Sequence, residues 1–312
     1  GSTVTQQIIK RLLLTSERGR MLFGNLRYII VDEIHAVSGN KRGVHLSLSL
    51  ERLSRLTGQT PVRIGLSATQ RPLKTIAAFL GGQEYLPEQK TWKQRPVEIV
   101  DCGQRKNMDL KVISPVPSFS DLPESSVWPA VYNLLYRMIR DHRTTLIFAG
   151  MRAQTEKIAR KLNERHQQET GDPEALIALA HHGSISRETR YAVEARLKEG
   201  RIPAVVATAS LELGIDIGSI DLVIQLESPK SVAAGLQRVG RSGHLMKATS
   251  KGRIIPLYQA DLDDVAALVR AMKAGEIEET RIPEAPLDVL SQQILAEVSM
   301  QNQDFDKLYN LC

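Results

Sequence analysis

Short β-branched runs that stop abruptly on polar residues, each followed by helical apolar spacing, constrain this 312-residue chain more than any other feature. Leu26–Val31 runs straight into Asp32-Glu33-Ile34-His35, and Val62–Leu66 stops at Ser67-Ala68-Thr69. Thr145–Phe148, Ala175–Ala180, Ala204–Ala207 and Leu222–Leu226 follow the same plan, with His181-His182-Gly183-Ser184 and Thr208 at two of the ends. Between them Leu46, Leu50, Leu53 and Leu56 fall on one helical face, and residues 72–80, 127–140, 153–166 and 187–199 read as helices. Strands that alternate with helices must cross over, which makes a parallel sheet covered on both faces. The spacing therefore predicts an α/β fold, parallel sheets with flanking helices. The polar residues then collect at the carboxyl ends of the strands, where open parallel sheets bind ligands.

The same reading divides the chain into three. Residues 1–90 form the first α/β unit. Pro87, Pro96, Pro115, Pro117 and Pro123 punctuate a crossing with strand candidates near 97–101 and 109–113. A second α/β domain occupies 91–282 and ends with a helix through Gln237 and a strand near 253–258. From 283 to 312 a further element begins, with Leu287, Leu290, Ile294 and Val298 aligned along one helical face.

Composition removes several classes of function. Two cysteines, Cys102 and Cys312, exclude a disulfide framework and predict a reducing, cytoplasmic setting. No apolar run approaches the ~20 residues a bilayer span needs, so no membrane partner is expected. Net charge is +6, and residues 1–90 carry 13 basic against 6 acidic side chains, while 261–288 carry 3 against 8. A basic first third suits a polyanion, whose bound counterions are released when Lys and Arg replace them. Aromatic residues make up only 4% of the chain, too few for a base-stacking platform.

Two clusters carry chemistry. Asp32 at a strand end can hold a hard divalent cation through water, and Glu33 beside it can deprotonate a water attacking a γ-phosphate. Taken alone, Asp-Glu-x-His fits a capping or surface cluster better than a nucleotide site; the preceding strand Tyr28–Val31 tips the balance. Gln237-Arg-Val-Gly-Arg-Ser-Gly-His244 places two guanidinium groups a helical turn apart, with glycines that allow close approach, a pattern suited to polyphosphate.

In order, Asp32–His35, Ser67–Thr69, Leu146–Phe148, Thr208–Gly218 and Gln237–His244 resemble the motifs of superfamily 2 helicases. The stretches Val31–Leu53, Ile64–Thr69 and Ala180–Ser184 are most similar to the large helicase-related (Lhr) family. That resemblance extends from about residue 20 to the end. It implies a partial first RecA-like domain, a complete second RecA-like domain and the start of a winged-helix domain. It implies ATP and Mg²⁺ as cofactors, with Asp32 on the metal and Glu33 activating water. His35 would link the nucleotide to Ser67 and Thr69, which couple hydrolysis to movement. Gly214 and Asp216 would meet the nucleotide. Arg241 would serve as arginine finger, with Arg238 beside it and Gln237 supporting. Thr208, His182 and Gly183, together with Lys41 and Arg42, would touch the nucleic-acid backbone. The partners implied are single-stranded DNA and DNA or RNA–DNA duplexes. The function implied is an ATP-dependent 3′-to-5′ helicase or translocase in DNA repair.

The family pattern fails in two places. None of the 21 glycines is followed by lysine, so the phosphate-cradling Gly-x-x-x-x-Gly-Lys-Ser/Thr loop is absent. The chain is therefore expected to be a fragment of a longer motor that hydrolyses ATP poorly alone. His244 stands where many superfamily 2 members carry arginine, which leaves Arg241 as the stronger finger. Two alternatives stay open: a short nucleic-acid-binding protein without hydrolysis, and a DEAD-box-like RNA remodeller.

Overall fold

The computed structural model describes residues 20–21, 23–57, 60–67, 71–101, 107–120, 127–212, 217–243, 249–300 and 302–309. They form two compact units, one of residues 1–102 with 279–312 and the other of residues 103–278.

The first unit starts with β1 (Tyr28–Val31), α1 (His35–Ser38), α2 (Lys41–Thr57), β2 (Val62–Gly65) and α3 (Leu73–Gly81). β1 and β2 pair in parallel from Tyr28 opposite Val62 to Val31 opposite Gly65. Val31, Ile34, Leu46, Leu50, Leu53, Ile76, Phe79 and Leu80 make its core, so the leucine spacing of α2 does face inward. The opposite face carries Tyr28, Ile30, Val62 and Ile64, all exposed. A hairpin follows that the sequence reading had not expected: β3 (Gln83–Leu86) and β4 (Thr91–Gln94) pair antiparallel. Tyr85 lies opposite Trp92 with ring centroids 5.3 Å apart. Cross-strand aromatic pairs of this kind favour a hairpin even where the turn chemistry is indifferent.

The second unit contains β5 (Met108–Val112), α4 (Val127–Arg140), β6 (Thr145–Phe148), α5 (Arg152–Thr170), β7 (Ala178–His181) and α6 (Arg187–Lys198). It continues with β8 (Ala204–Ala207), a 3-10 turn at Ala209–Leu211, β9 (Leu222–Leu226), α7 (Val232–Val239), β10 (Ser250–Ile255) and α8 (Gln259–Ala274). The six strands form one parallel sheet in the order β5-β10-β9-β6-β8-β7. Alternate residues of each strand feed opposite cores, as the pleat requires. Ile147, Ala204, Val206, Leu222 and Ile224 join α4 and α5 on one face. Leu146, Phe148, Val205, Ala207 and Val223 join α6, α7 and α8 on the other. This is the fully covered parallel sheet that the alternation predicted. The strand candidate at 97–101 has no strand character, and β10 falls three residues before its expected place.

Two helices near the end of the sequence, α9 (Leu287–Val298) and α10 (Phe305–Tyr309), return to the first unit. Of the aligned residues Leu287, Leu290, Ile294 and Val298, only Leu290 is half-buried and the other three are exposed, while Val289, Gln293 and Glu297 are the buried ones. Arg52 on α2 explains the choice. Its buried guanidinium needs acceptors, and Glu297 and Gln293 Oε1 supply them, the latter at 2.8 Å. The unit limits also differ from the three-part division of the sequence. Arg95 stays with the first unit by pairing with Glu51, and Thr280 N donates to Arg71 O at 2.9 Å.

Candidate nucleotide and nucleic-acid sites

In the first unit the ends of β1 and β2 are tied together. Leu66 N donates to Val31 O at 2.9 Å and Ile34 N donates to Leu66 O at 3.0 Å. These bonds bring Ser67 beside the turn that starts α1. Glu33 adopts φ 50°, a left-handed conformation that a non-glycine residue takes at a cost of about 1–3 kcal/mol, and such strain collects at functional sites. Its Oε2 lies 3.3 Å from His35 Nε2, and His35 Nδ1 lies 3.4 Å from Ser67 Oγ. Glu33, His35 and Ser67 therefore form one chain, with the imidazole buried and the carboxylate partly open to solvent. Asp32 is exposed, and its Oδ1 accepts from Glu33 N at 2.8 Å. Thr69 lies outside the described residues.

Lys41 and Arg42 are the first two residues of α2 and both are exposed. Lys41 Nζ pairs with Asp288 Oδ2 at 2.8 Å, and the ammonium holds that carboxyl below the usual aspartate range. Gly43 is required there, because a Cβ would stand 2.1 Å from the Val37 carbonyl oxygen.

In the second unit the candidate residues lie at the carboxyl edge of the sheet. Thr208 follows β8, and His182 and Gly183 follow β7. The imidazole of His182 is buried and engaged on both sides: Nε2 is 2.8 Å from Glu156 Oε1, and Nδ1 accepts from Ser184 N at 3.3 Å. Gly183 and Ser184 are what this loop exposes, and a Cβ at Gly183 would meet nothing within 4 Å. Arg152, at the start of α5, bonds the Ser184 hydroxyl and was not singled out from the sequence.

Arg238 and Arg241 converge on Glu212. Arg238 Nε and Nη2 donate to Glu212 Oε2 at 2.9 and 2.8 Å, and Nη1 donates to Gln225 Oε1 at 2.7 Å. Its guanidinium carbon also stands 5.1 Å from the centroid of the Phe148 ring. Arg241 Nε and Nη2 donate to the Glu212 carbonyl oxygen at 3.1 and 2.7 Å. Gln237 is half-buried on the same helix, while Gly214 and Asp216 lie outside the described residues. Sequence reasoning missed Glu212. Its signal was an acidic residue inside the Thr208–Gly218 stretch, four positions after a candidate backbone contact.

With this geometry in hand, comparison with known proteins is decisive. Residues 3–78 match the DEAD/DEAH box helicase family and residues 129–245 match the helicase conserved C-terminal domain. An Lhr helicase/probable uracil glycosylase of Mycolicibacterium smegmatis is 42% identical over 325 residues, covering 96% of this chain and 21% of that protein. An ATP-dependent helicase Lhr-Core of Methanothermobacter thermautotrophicus is 44% identical over 295 residues, covering 95% of this chain and 33% of that one. The structure of Mycobacterium smegmatis helicase Lhr bound to ssDNA and AMP-PNP superposes with a TM-score of 0.89 at 44% identity, over 98% of this chain and 38% of that one. The chain belongs to the Lhr helicase family. It spans between a fifth and a third of the length of these two curated Lhr relatives. Among the described residues no helix is long and apolar enough to cross a membrane, and no group of three or more His, Cys, Asp or Glu side chains could hold a metal by itself.

Proposed function

We propose that this Lhr chain is part of an ATP-dependent motor that moves 3′-to-5′ on single-stranded DNA and separates DNA or RNA–DNA duplexes, serving DNA repair in the cytoplasm. The observation that carries the reading is the Glu33–His35–Ser67 chain. A mere binding module has no use for a strained carboxylate wired through an imidazole to the end of the next strand. In this reading Glu33 accepts the proton of the water that attacks the γ-phosphate. His35 relays the resulting change in charge and position to Ser67. Thr69, Gly214 and Asp216 keep the roles that the family pattern implies. Arg241 and Arg238 supply cationic forks for polyphosphate charge, and Gln237 supports them with a neutral amide. Arg238 must first exchange its bond to Glu212 for that partner.

Asp32 fits a Mg²⁺ site, because one exposed carboxylate with an uncommitted oxygen suits a cation that keeps several waters and takes its other ligands from phosphate. Bound there, the ion would neutralise phosphate charge. Thr208, Gly183, Lys41 and Arg42 take the nucleic-acid backbone, contacts that position a strand without reading its sequence. The relatives support ATP and DNA through the AMP-PNP and ssDNA of the mycobacterial structure. The segment from 283 onward is proposed as the beginning of a winged-helix domain.

Two measurements test the proposal. The 312-residue chain alone is expected to turn ATP over at background rate, because it has no Gly-x-x-x-x-Gly-Lys-Ser/Thr loop. Turnover that Glu33→Gln removes would overturn that part. In a longer protein that carries this chain together with such a loop, ssDNA should stimulate hydrolysis and a 3′-tailed duplex should be unwound. Glu33→Gln should lower turnover there by at least ~100-fold, while leaving strand binding intact. Preference for a 5′ tail, or stimulation by RNA alone, would count against the Lhr-type reading in favour of an RNA remodeller.

A further inference from the structure

His181 is the last residue of β7 and its side chain is almost completely enclosed. A histidine at a sheet end is often plain core, but this one has a different partner on each nitrogen. Its Nδ1 lies 2.8 Å from Ser210 Oγ, and its Nε2 lies 3.0 Å from Glu194 Oε1 on α6. The main chain repeats the connection, since Thr208 N donates to His181 O at 3.2 Å and Ser210 Oγ stands 3.1 Å from the same oxygen. Burial pushes the imidazole below the ordinary histidine range, opposed by the bond to Glu194, and Arg190 and His182 add to the lowering. In the neutral ring, Nε2–H donates to Glu194, which leaves Nδ1 an acceptor, and the one Ser210 hydroxyl proton is shared between Nδ1 at 2.8 Å and the His181 carbonyl oxygen at 3.1 Å. Glu194 thus fixes the tautomer that grips Ser210, as outer-shell carboxylates do for functional histidines.

Ser210 is the midpoint of a five-residue turn. At one end is Thr208, the proposed strand contact, whose Oγ1 lies 3.4 Å from Ser210 Oγ. At the other end is Glu212, whose carboxylate and carbonyl oxygen hold Arg238 and Arg241. Whatever sets Ser210 sets the distance between a nucleic-acid contact and the acceptor of both arginines. We propose that His181, oriented by Glu194, is a positioning residue that holds the Thr208–Glu212 turn through Ser210 in the form that binds a strand. The inference rests on the reading of Thr208 as a strand contact given above.

Asparagine and glutamine separate this role from simple filling of space. Asparagine places an amide oxygen near the Nδ1 position and so can still accept from Ser210. Glutamine reaches toward Glu194 and leaves Ser210 unheld. The test compares His181→Asn, His181→Gln and Ser210→Ala in the 312-residue chain. Amide exchange across Thr208–Glu212 is read without ligand, and binding of a labelled single-stranded oligodeoxynucleotide is read by anisotropy. With Asn, exchange and affinity should stay within about twofold of the unmodified chain. With Gln and with Ser210→Ala, the turn should exchange about tenfold faster and bind the strand about five- to tenfold more weakly. Equal behaviour of Asn and Gln, or an unchanged turn in Ser210→Ala, would overturn the proposal whatever the binding data show. If the exchange pattern follows expectation but the unmodified chain binds no strand, the positioning role stands and the reading of Thr208 falls.

Discussion

Glu51 is a single carboxylate on which a large part of the first unit depends. Its Oε1 takes Arg63 Nη1 at 2.9 Å and Arg95 Nη1 at 2.7 Å, and its Oε2 takes Arg95 Nη2 at 2.8 Å. Both guanidinium groups also donate to the Gly81 carbonyl, and Arg63 to that of Leu80, so the C-terminal turn of α3 is closed by the same cluster. Removing the carboxylate strands two positive charges, one of them on a side chain only 5% exposed. Leaving a buried charge without its partner costs about 3–5 kcal/mol, far more than an exposed pair contributes. Glu51→Gln is therefore expected to destabilise the first unit by about 3 kcal/mol, measured as a lower denaturant midpoint of its unfolding transition. Lys41→Ala, which breaks the exposed pair with Asp288, should move that midpoint very little. None of this was legible in the sequence, where Glu51, Arg63 and Arg95 look like ordinary surface charges.

Helix α7 depends on a residue far along the chain. Its N-cap Ser231 accepts from Ala234 N at 3.1 Å, the local bond that its sequence offers. The next two amides, Val232 N and Ala233 N, donate to the Glu278 carboxylate at 2.6 and 3.3 Å. That anion lies at the positive end of the helix dipole, on the helix that carries Gln237 and Arg238. Glu278→Ala should cost about 1–2 kcal/mol, seen as a lower midpoint for the second unit and faster amide exchange in α7. An unchanged α7 exchange rate would show that Ser231 suffices. The helix α9 makes a related point in the first unit. Three of its four aligned apolar residues are exposed, because the buried Arg52 selects Gln293 and Glu297, and a periodicity argument cannot see a partner 245 residues away.

The second unit as a whole folds around buried ionisable groups, and its stability should follow pH accordingly. Burial raises Asp261 and Glu227 above their usual carboxylate ranges, with Asp261 adding to the rise at Glu227. A raised carboxyl holds its proton longer in the folded state than in the unfolded chain. Its share of stability is then full below the unfolded value, about 4, and is lost as pH climbs through the folded one. His181 acts in the opposite sense. Its depressed value makes stability full above about 6.5 and erodes it as pH falls through the folded one. Asp261→Asn keeps an oxygen for Ser228 N, bonded at 3.1 Å, and removes only the charge. The difference in melting temperature between the Asn variant and the unmodified chain should grow in the variant's favour from pH 5 to pH 8. A difference that stays flat would mean that Asp261 is not strained. At this scale the sequence by itself determined the alternation of strands and helices, the covered parallel sheet and the order of the helicase motifs. Strand lengths, apolar period and motif chemistry are local properties that each segment carries with it. Only the tertiary structure decided the β5-β10-β9-β6-β8-β7 order, the hub at Glu212 and the grip of His181 on Ser210. Those depend on which strand ends become neighbours once the crossovers close. A polar side chain buried there takes its hydrogen-bond partners from whatever the packing brings within reach, and no local spacing records that choice.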